Sequence, residues 1–290
     1  MPDSQEDPSV LSPVVGPPFG AATGPKPAAW VAAWHKPVFI VFLVVFAFFA
    51  VTMALRISFP PEWQWLQGML WLVASVTSLV SVARRLPGQN VATFATVIAS
   101  ISWLIHLLGD KTGIPFGPIT YTENLGIRLL DSVPWTMPFI WIVVLVNGRG
   151  VARLIMRPWR KTTYYGLWVM GIAVVLAVVF DLALEPYATR SERFWMFTKS
   201  LRFGTWYTTP WVNFLGWAVT ALGIMAFSTP WLINKQPVKQ PTDYHPLVVW
   251  LLVIGFLTLS NALGGRWLAV GVTVGLNAVT TIFAVRGAKW

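Results

Sequence analysis

Residues 164–184 read YYGLWVMGIAVVLAVVFDLAL, a run whose single charge is Asp181. A bilayer span needs roughly 17–25 mostly apolar residues, so this stretch predicts a membrane helix. Comparable runs occupy 38–55, 66–83, 91–108, 134–147 with a few further residues, 210–229, 246–262 and 267–285. That makes eight spans, with seven as the alternative because the fourth run is short and broken at its start by Pro134 and Pro138. Of the 290 residues 56% are hydrophobic and 11% charged, and mean hydropathy is +0.62. A soluble domain carries about a quarter charged residues, so this chain lacks the polar surface to face water all round. The expected fold is all-α, a polytopic integral membrane bundle with an irregular Gly/Pro loop after its third helix.

Composition removes several function classes. Cysteine is absent, which excludes thiol nucleophiles, disulfides and Cys-based metal sites. The three histidines, His35, His106 and His245, are far apart in sequence and never stand at the i, i+4 spacing of a zinc helix. No Gly-rich phosphate loop occurs, so neither a nucleotide nor any other cofactor is expected. The formal charge of +10 comes without a basic face interleaved with aromatics, which argues against nucleic acid as a partner. The basic residues sit in short connections, where anionic lipid headgroups account for them. Residues 1–29, rich in Pro, Gly, Ser and Ala, read as a disordered tail without the basic start of a signal peptide. Residues 30–290 then form one transmembrane domain, and its composition does not indicate an oligomeric state.

Lys and Arg in the loops set orientation. With eight spans and the N-terminus inside, thirteen of the 21 basic residues fall in inner segments and eight in outer ones. The cluster RGVARLIMRPWRK (149–161 within it) is the strongest local signal. Both termini are therefore expected in the cytoplasm, with the protein in the cell membrane. Seven of the eleven acidic residues then share the opposite face: Glu62, Asp110, Glu123, Asp131, Asp181, Glu185 and Glu192. Acidic residues do not set orientation, so their concentration points to where polar chemistry is done.

Asp181 and Glu185 stand four apart in VVLAVVFDLALEP and so share one helix face, one turn apart. Intramembrane carboxyls normally face the bundle interior and serve a purpose. Two of them in an apolar site do not both ionise readily, and the one that keeps its proton is a general acid. The bland reading has Glu185 marking the helix end and Asp181 paired to an arginine such as Arg202. His106, near the end of the third span, reads first as a hydrogen-bonded structural residue. It gains interest from the loop that follows, TGIPFGPITYT (112–122), which contains two glycines and two prolines and cannot be regular helix. Irregular backbone at membrane depth is tolerated only where it is buried in protein or lines a cavity. Tyr121 in that loop is either an interfacial aromatic or a proton donor. In TWYTTPWVNFLGW (205–217) an aromatic belt accounts for much of the stretch, whereas Asn213 places an amide inside a span, where it needs partners.

The ordered series TGIPFGPITYTENLG, VPWTMPFIW, DLALEPYA and TPWVNFLGW, over roughly residues 100–220, resembles the membrane-bound carotenoid biosynthesis family of the CruF type. That family includes the bisanhydrobacterioruberin and gamma-carotene 1',2'-hydratases. This chain departs from its pattern in having His106 where an acid is usual, Ile119 near a usual Tyr, Glu185 where Asp precedes the proline, and Thr208–Thr209 where a glycine and a branched residue are usual. The resemblance implies addition of water across a terminal carbon–carbon double bond of an acyclic or monocyclic carotene held in the lipid phase. Such a reaction needs an acid, shielding for a tertiary cation and a positioned water. The implied roles are Asp181 or Glu185 as acid, Tyr121 and His106 as proton relay, and Asn213 as water holder. Trp206, Tyr207, Trp211 and Trp217 would line the cation site, and Phe116 would turn inward from the loop. The alternative is a carotenoid- or lipid-binding membrane protein, or an assembly subunit, without catalysis. A transporter is disfavoured by the lack of paired broken helices, and an isoprenoid transferase by the lack of Asp-rich Mg²⁺ motifs.

Overall fold

The structure, a computed structural model, describes residues 29–57, 59–198, 204–232 and 241–290. The tail read from 1–29 lies outside the described residues up to position 28, as do Lys26, Lys199, Arg202, Lys235 and Lys239. Among the described residues eight α-helices stand where eight spans were expected. These are α1 (Ala29–Ala54), α2 (Gln67–Ala83), α3 (Gly88–Thr112), α4 (Met137–Ile155), α5 (Tyr165–Pro186), α6 (Trp211–Leu232), α7 (His245–Leu263) and α8 (Trp267–Ala288). Seven are long and apolar enough to cross a membrane. The exception, α2, has 17 residues and rises about 26 Å, slightly less than the roughly 30 Å of a hydrocarbon core. The chain is an integral membrane helical bundle.

The shortest expected span turns out to be the centre. Helix α4 is buried from Ile140 to Gly148 without a break and is ringed by α2, α3, α5, α7 and α8. A helix that is apolar all round belongs inside a bundle, and Pro138 in its first turn costs it no hydrogen bond. The helix also runs farther than the sequence suggested. Arg149 and Arg153, assigned above to a loop, lie within it. Arg149 stays helical because its guanidinium donates to the C-terminal carbonyl of α6 at Leu232 (2.8 Å), satisfying a group that a helix end leaves open.

Basic groups collect at one end of the bundle. Asp243 accepts from Arg84 (3.1 Å) and pairs with Arg85 (3.3 Å), Arg157 donates to Thr242 (2.6 Å), and Thr242 donates to the α8 end at Ala288 (3.2 Å). At the other end short strands appear within segments that the sequence left as irregular. β1 (Ile119–Tyr121) pairs antiparallel with β4 (Trp195–Phe197), Tyr121 standing opposite Trp195. Between them lie β2 (Arg128–Leu129) and β3 (Val133–Pro134), paired with each other. β5 (Thr205–Trp206) pairs with β6 (Thr209–Pro210). The β1–β4 ladder ties the loop after α3 to the segment after α5, and so fixes the caps of two helices against each other.

Candidate functional site

The site begins where α5 ends. Asp181 and Glu185 are both fully buried and face α6. There Asn213 in the first turn donates from its one amide nitrogen to Asp181 Oδ2 (2.8 Å) and Glu185 Oε1 (3.0 Å). Glu185 Oε2 accepts two further bonds, from Thr209 Oγ1 (2.7 Å) and from Trp195 Nε1 (3.2 Å). Four chain segments therefore converge on one carboxyl: α5, α6, β6 and β4. Asp181 is differently placed. Its Oδ1 is buried without a hydrogen-bond partner among the described residues. A carboxyl that accepts three donors is arranged as an ionised acceptor, whereas a carboxyl with one open oxygen can carry a proton there. Of the bland reading, Glu185 does not reach for water, being buried, whereas the Arg202 offered as a partner for Asp181 lies outside the described residues.

A second polar chain meets the first from α3. His106 Nδ1 lies 2.5 Å from the Tyr121 hydroxyl, and Trp141 of α4 donates its indole N–H to His106 Nε2 (2.7 Å). Indole can only donate, so Nε2 must accept, and a neutral ring then carries its proton on Nδ1. The tautomer follows from this bonding pattern. His106 therefore donates to the Tyr121 oxygen, leaving the phenolic proton free to point elsewhere. Burial, with the Glu185 and Asp110 carboxyls adding to it, pushes the Tyr121 phenol well above its ordinary pKa. Tyr121 is thus a neutral donor at any physiological pH. Its ring meets Trp195 edge-on at 6.2 Å, and the Trp195 indole bonds Glu185, so the two polar chains adjoin.

The 112–122 loop forms the wall between them. Gly113 caps α3 in the left-handed region (φ 74), its N–H returning to Gly109 O (2.7 Å), the usual way a helix is stopped by glycine. Phe116 is then driven inward and is fully buried, stacked on His106 (centroids 4.5 Å, 11°). Gly109 of α3 and Gly216 of α6 make room for it, since a Cβ at either would approach the Phe116 ring to 2.8 Å. On its outer side the loop and α6 line a groove of about 380 Å³.

The remaining aromatics divide. Trp217 is buried and stacks on Trp141 (4.3 Å, 21°), so it supports the His106 chain. Trp206, Tyr207 and Trp211 do not join it. Trp206 donates to Leu182 O (3.1 Å) and packs with Phe214 and Ala269 in a separate cluster. The Tyr207 hydroxyl accepts from Ala269 N (3.1 Å), and Trp211 is about half exposed (48%). Thr209 reaches Glu185, whereas Trp206, its cross-strand partner, packs toward Leu182, Phe214 and Ala269. Of the four expected aromatics only Trp217 therefore packs beside the buried polar chains, where Trp195 bonds Glu185 and Trp141 bonds His106. Trp195 and Trp141 escaped the sequence reading because a tryptophan in an apolar stretch looks like core or belt, and nothing local shows where its N–H is aimed.

The profile of a family described as "Carotenoid biosynthesis protein" matches residues 38–280. Among curated proteins, the bisanhydrobacterioruberin hydratase of Haloarcula japonica is 31% identical over 119 residues. That stretch is 41% of this chain and 38% of that protein, so well under half of the relative is matched. No solved structure matches the chain.

Proposed function

This chain belongs to the carotenoid biosynthesis protein family, and from that premise we propose that it is a hydratase adding water across a terminal C=C of an acyclic or monocyclic carotene. The observation that carries the proposal is the buried Asp181–Glu185 pair clamped by Asn213, a proton-bearing group in surroundings that otherwise suit a polyene. The likeness of part of the chain to a protein named as a hydratase supports the same reaction class.

The proposed steps balance without an oxidant or reductant. Asp181, through Oδ1, gives its proton to the less substituted alkene carbon. The π pair forms the new C–H bond and leaves a tertiary cation, which the faces of Trp195 and Trp217 and the charge of Glu185 stabilise. A water held by Asn213 and the Tyr121 hydroxyl attacks the cation through oxygen. The proton it sheds returns to Asp181, restoring the acid. Glu185 remains the fixed negative group throughout, anchored by Thr209 and Trp195.

Pigment analysis tests the reading. Expression in cells accumulating an acyclic or monocyclic carotene should yield a pigment heavier by one water, about 18 mass units, with its absorption nearly unchanged because an isolated end bond is altered. Recovery of unmodified carotene bound to the purified protein would instead indicate a carrier. A second expectation concerns orientation. The basic end formed by Arg84, Arg85, Arg149 and Arg157 is proposed to face the cytoplasm of a cell membrane. Reporter fusions at both termini should then read cytoplasmic, and a C-terminal fusion active only outside would reject the arrangement.

A further inference from the structure

At the same end of the bundle as the carboxyl pair, but on the far side of α5, a pocket of about 540 Å³ lies between α1, α2 and α7. Phe49, Leu70 and Phe256 give it an apolar side, and Arg56, Gln67, Glu192 and Arg266 give it a polar one. The acid is restrained. Gln67 donates to Glu192 Oε2 (2.5 Å) and accepts from the Tyr187 hydroxyl (3.3 Å). Burial raises the Glu192 pKa, with the Gln67 bond and the charge of Arg266 acting against it.

Arg266 is held by uncharged groups, with Glu192 as the nearby acid, and the side chain of Arg56 is exposed. Arg266 donates through Nε to Asn261 Oδ1 (2.9 Å) and through one terminal nitrogen to the Ser260 carbonyl (3.0 Å) and the Ser191 hydroxyl. All three partners are uncharged. Among the described residues the ion pairs involve neither Arg266 nor Arg56. Arg56 stands at an expensive position. It follows α1 in the left-handed region (φ 56), with its N–H on Met53 O (3.0 Å) and the next N–H on Thr52 O (2.9 Å). Glycine or asparagine is usual at that point of a helix end, and other L-residues are strained there. An arginine in the left-handed region, a second guanidinium hydrogen-bonded only to uncharged groups and an apolar cleft between membrane helices form an amphiphilic receptor, with two basic groups set against the one acid Glu192.

We propose that this pocket binds an anionic glycerophospholipid, its phosphate between Arg56 and Arg266 and an acyl chain along Phe49, Leu70 and Phe256. Guanidinium suits a phosphodiester because its N–H groups match the oxygens in pairs. The inference does not depend on the hydratase reading, since it concerns a different set of residues and a different ligand.

Native mass spectrometry of the full chain in detergent tests it, with phosphatidylglycerol, phosphatidylcholine or inorganic phosphate as the added probe. Phosphatidylglycerol is expected to be retained as a one-to-one adduct in preference to phosphatidylcholine. Arg56→Asn should lower that retention about fivefold, the contribution of one basic side chain near a lipid headgroup. It should also hold or raise the thermal midpoint, because asparagine suits the left-handed position. Arg266→Gln should give a comparable loss of lipid and serves as an independent reading. Equal retention of the two lipids would overturn the proposal, as would unchanged phosphatidylglycerol binding in a folded Arg56→Asn protein. Displacement of the lipid by inorganic phosphate alone would also overturn it, marking a free-anion site.

Discussion

Asp181→Asn is expected to lower formation of the hydrated pigment by about a hundredfold or more, the usual effect of losing a positioned general acid, while the protein remains folded. Asparagine has nearly the shape of aspartic acid, and its amide oxygen can still accept from Asn213 Nδ2 as Asp181 Oδ2 does. What it lacks is a transferable proton at the open Oδ1 position. Glu185→Gln is the informative comparison. Its side chain must face donors from Thr209, Trp195 and Asn213, and an amide NH₂ set against a donor leaves buried groups unsatisfied, at about 1–3 kcal/mol. Asp181→Asn should therefore lose activity at an unchanged thermal midpoint, and Glu185→Gln should lose both. Pigment yields and melting curves on the same membranes read the two effects apart. If the Asp181 variant hydrates at near the native rate, or fails only because it unfolds, Asp181 is a structural residue and the acid lies elsewhere.

The assignment of separate roles to the two carboxyls shows where sequence reading stops. Apolar run length made the helices legible, because the bilayer imposes a length on every span. The i, i+4 spacing likewise put Asp181 and Glu185 on one face. Asn213, His106, Tyr121 and Phe116 were legible as polar or irregular features in an apolar context. Their partners were not. The Trp141 bond to His106 spans 35 positions and the Thr209 bond to Glu185 spans 24, and neither has a periodicity to reveal it. The β1–β4 pairing is hidden for a similar reason. Each strand has three residues, too few to show alternation, and the ladder exists because two helix ends bring the strands together. The misplacement of Trp206, Tyr207 and Trp211 has a related cause. Closeness in sequence to Asn213 suggested closeness in space, but even the cross-strand partners Trp206 and Thr209 find different neighbours, Trp206 at Leu182 and Ala269 and Thr209 at Glu185. Arg149 misled in the opposite way. Charge suggested a loop, yet one carbonyl at Leu232 was enough to keep it in a buried helix.

The tautomer of His106 gives the second large effect. Tyr121→Phe removes the phenolic proton proposed to hold the attacking water, and about a hundredfold loss in kcat is expected. Trp141→Phe touches neither the carboxyls nor Tyr121, but it deletes the indole N–H that makes Nε2 an acceptor. The imidazole proton is then free to move to Nε2. Nδ1 becomes an acceptor facing the Tyr121 hydroxyl at 2.5 Å, and the phenolic proton turns toward the ring and away from the carboxyl pair. Loss of that one bond is expected to cost about tenfold, in kcat with KM little changed, because the indole is assigned no contact with substrate. The two substitutions act on one proton, so their effects must not multiply. In the Trp141→Phe background Tyr121→Phe should cost far less than it does alone, and the double variant should fall close to the Tyr121→Phe level. A merely structural Trp141, which also stacks on Trp217, would instead give losses that multiply with those of Tyr121→Phe, and multiplicative rates in the four-member cycle would reject the relay while leaving the role of Asp181 to its own test.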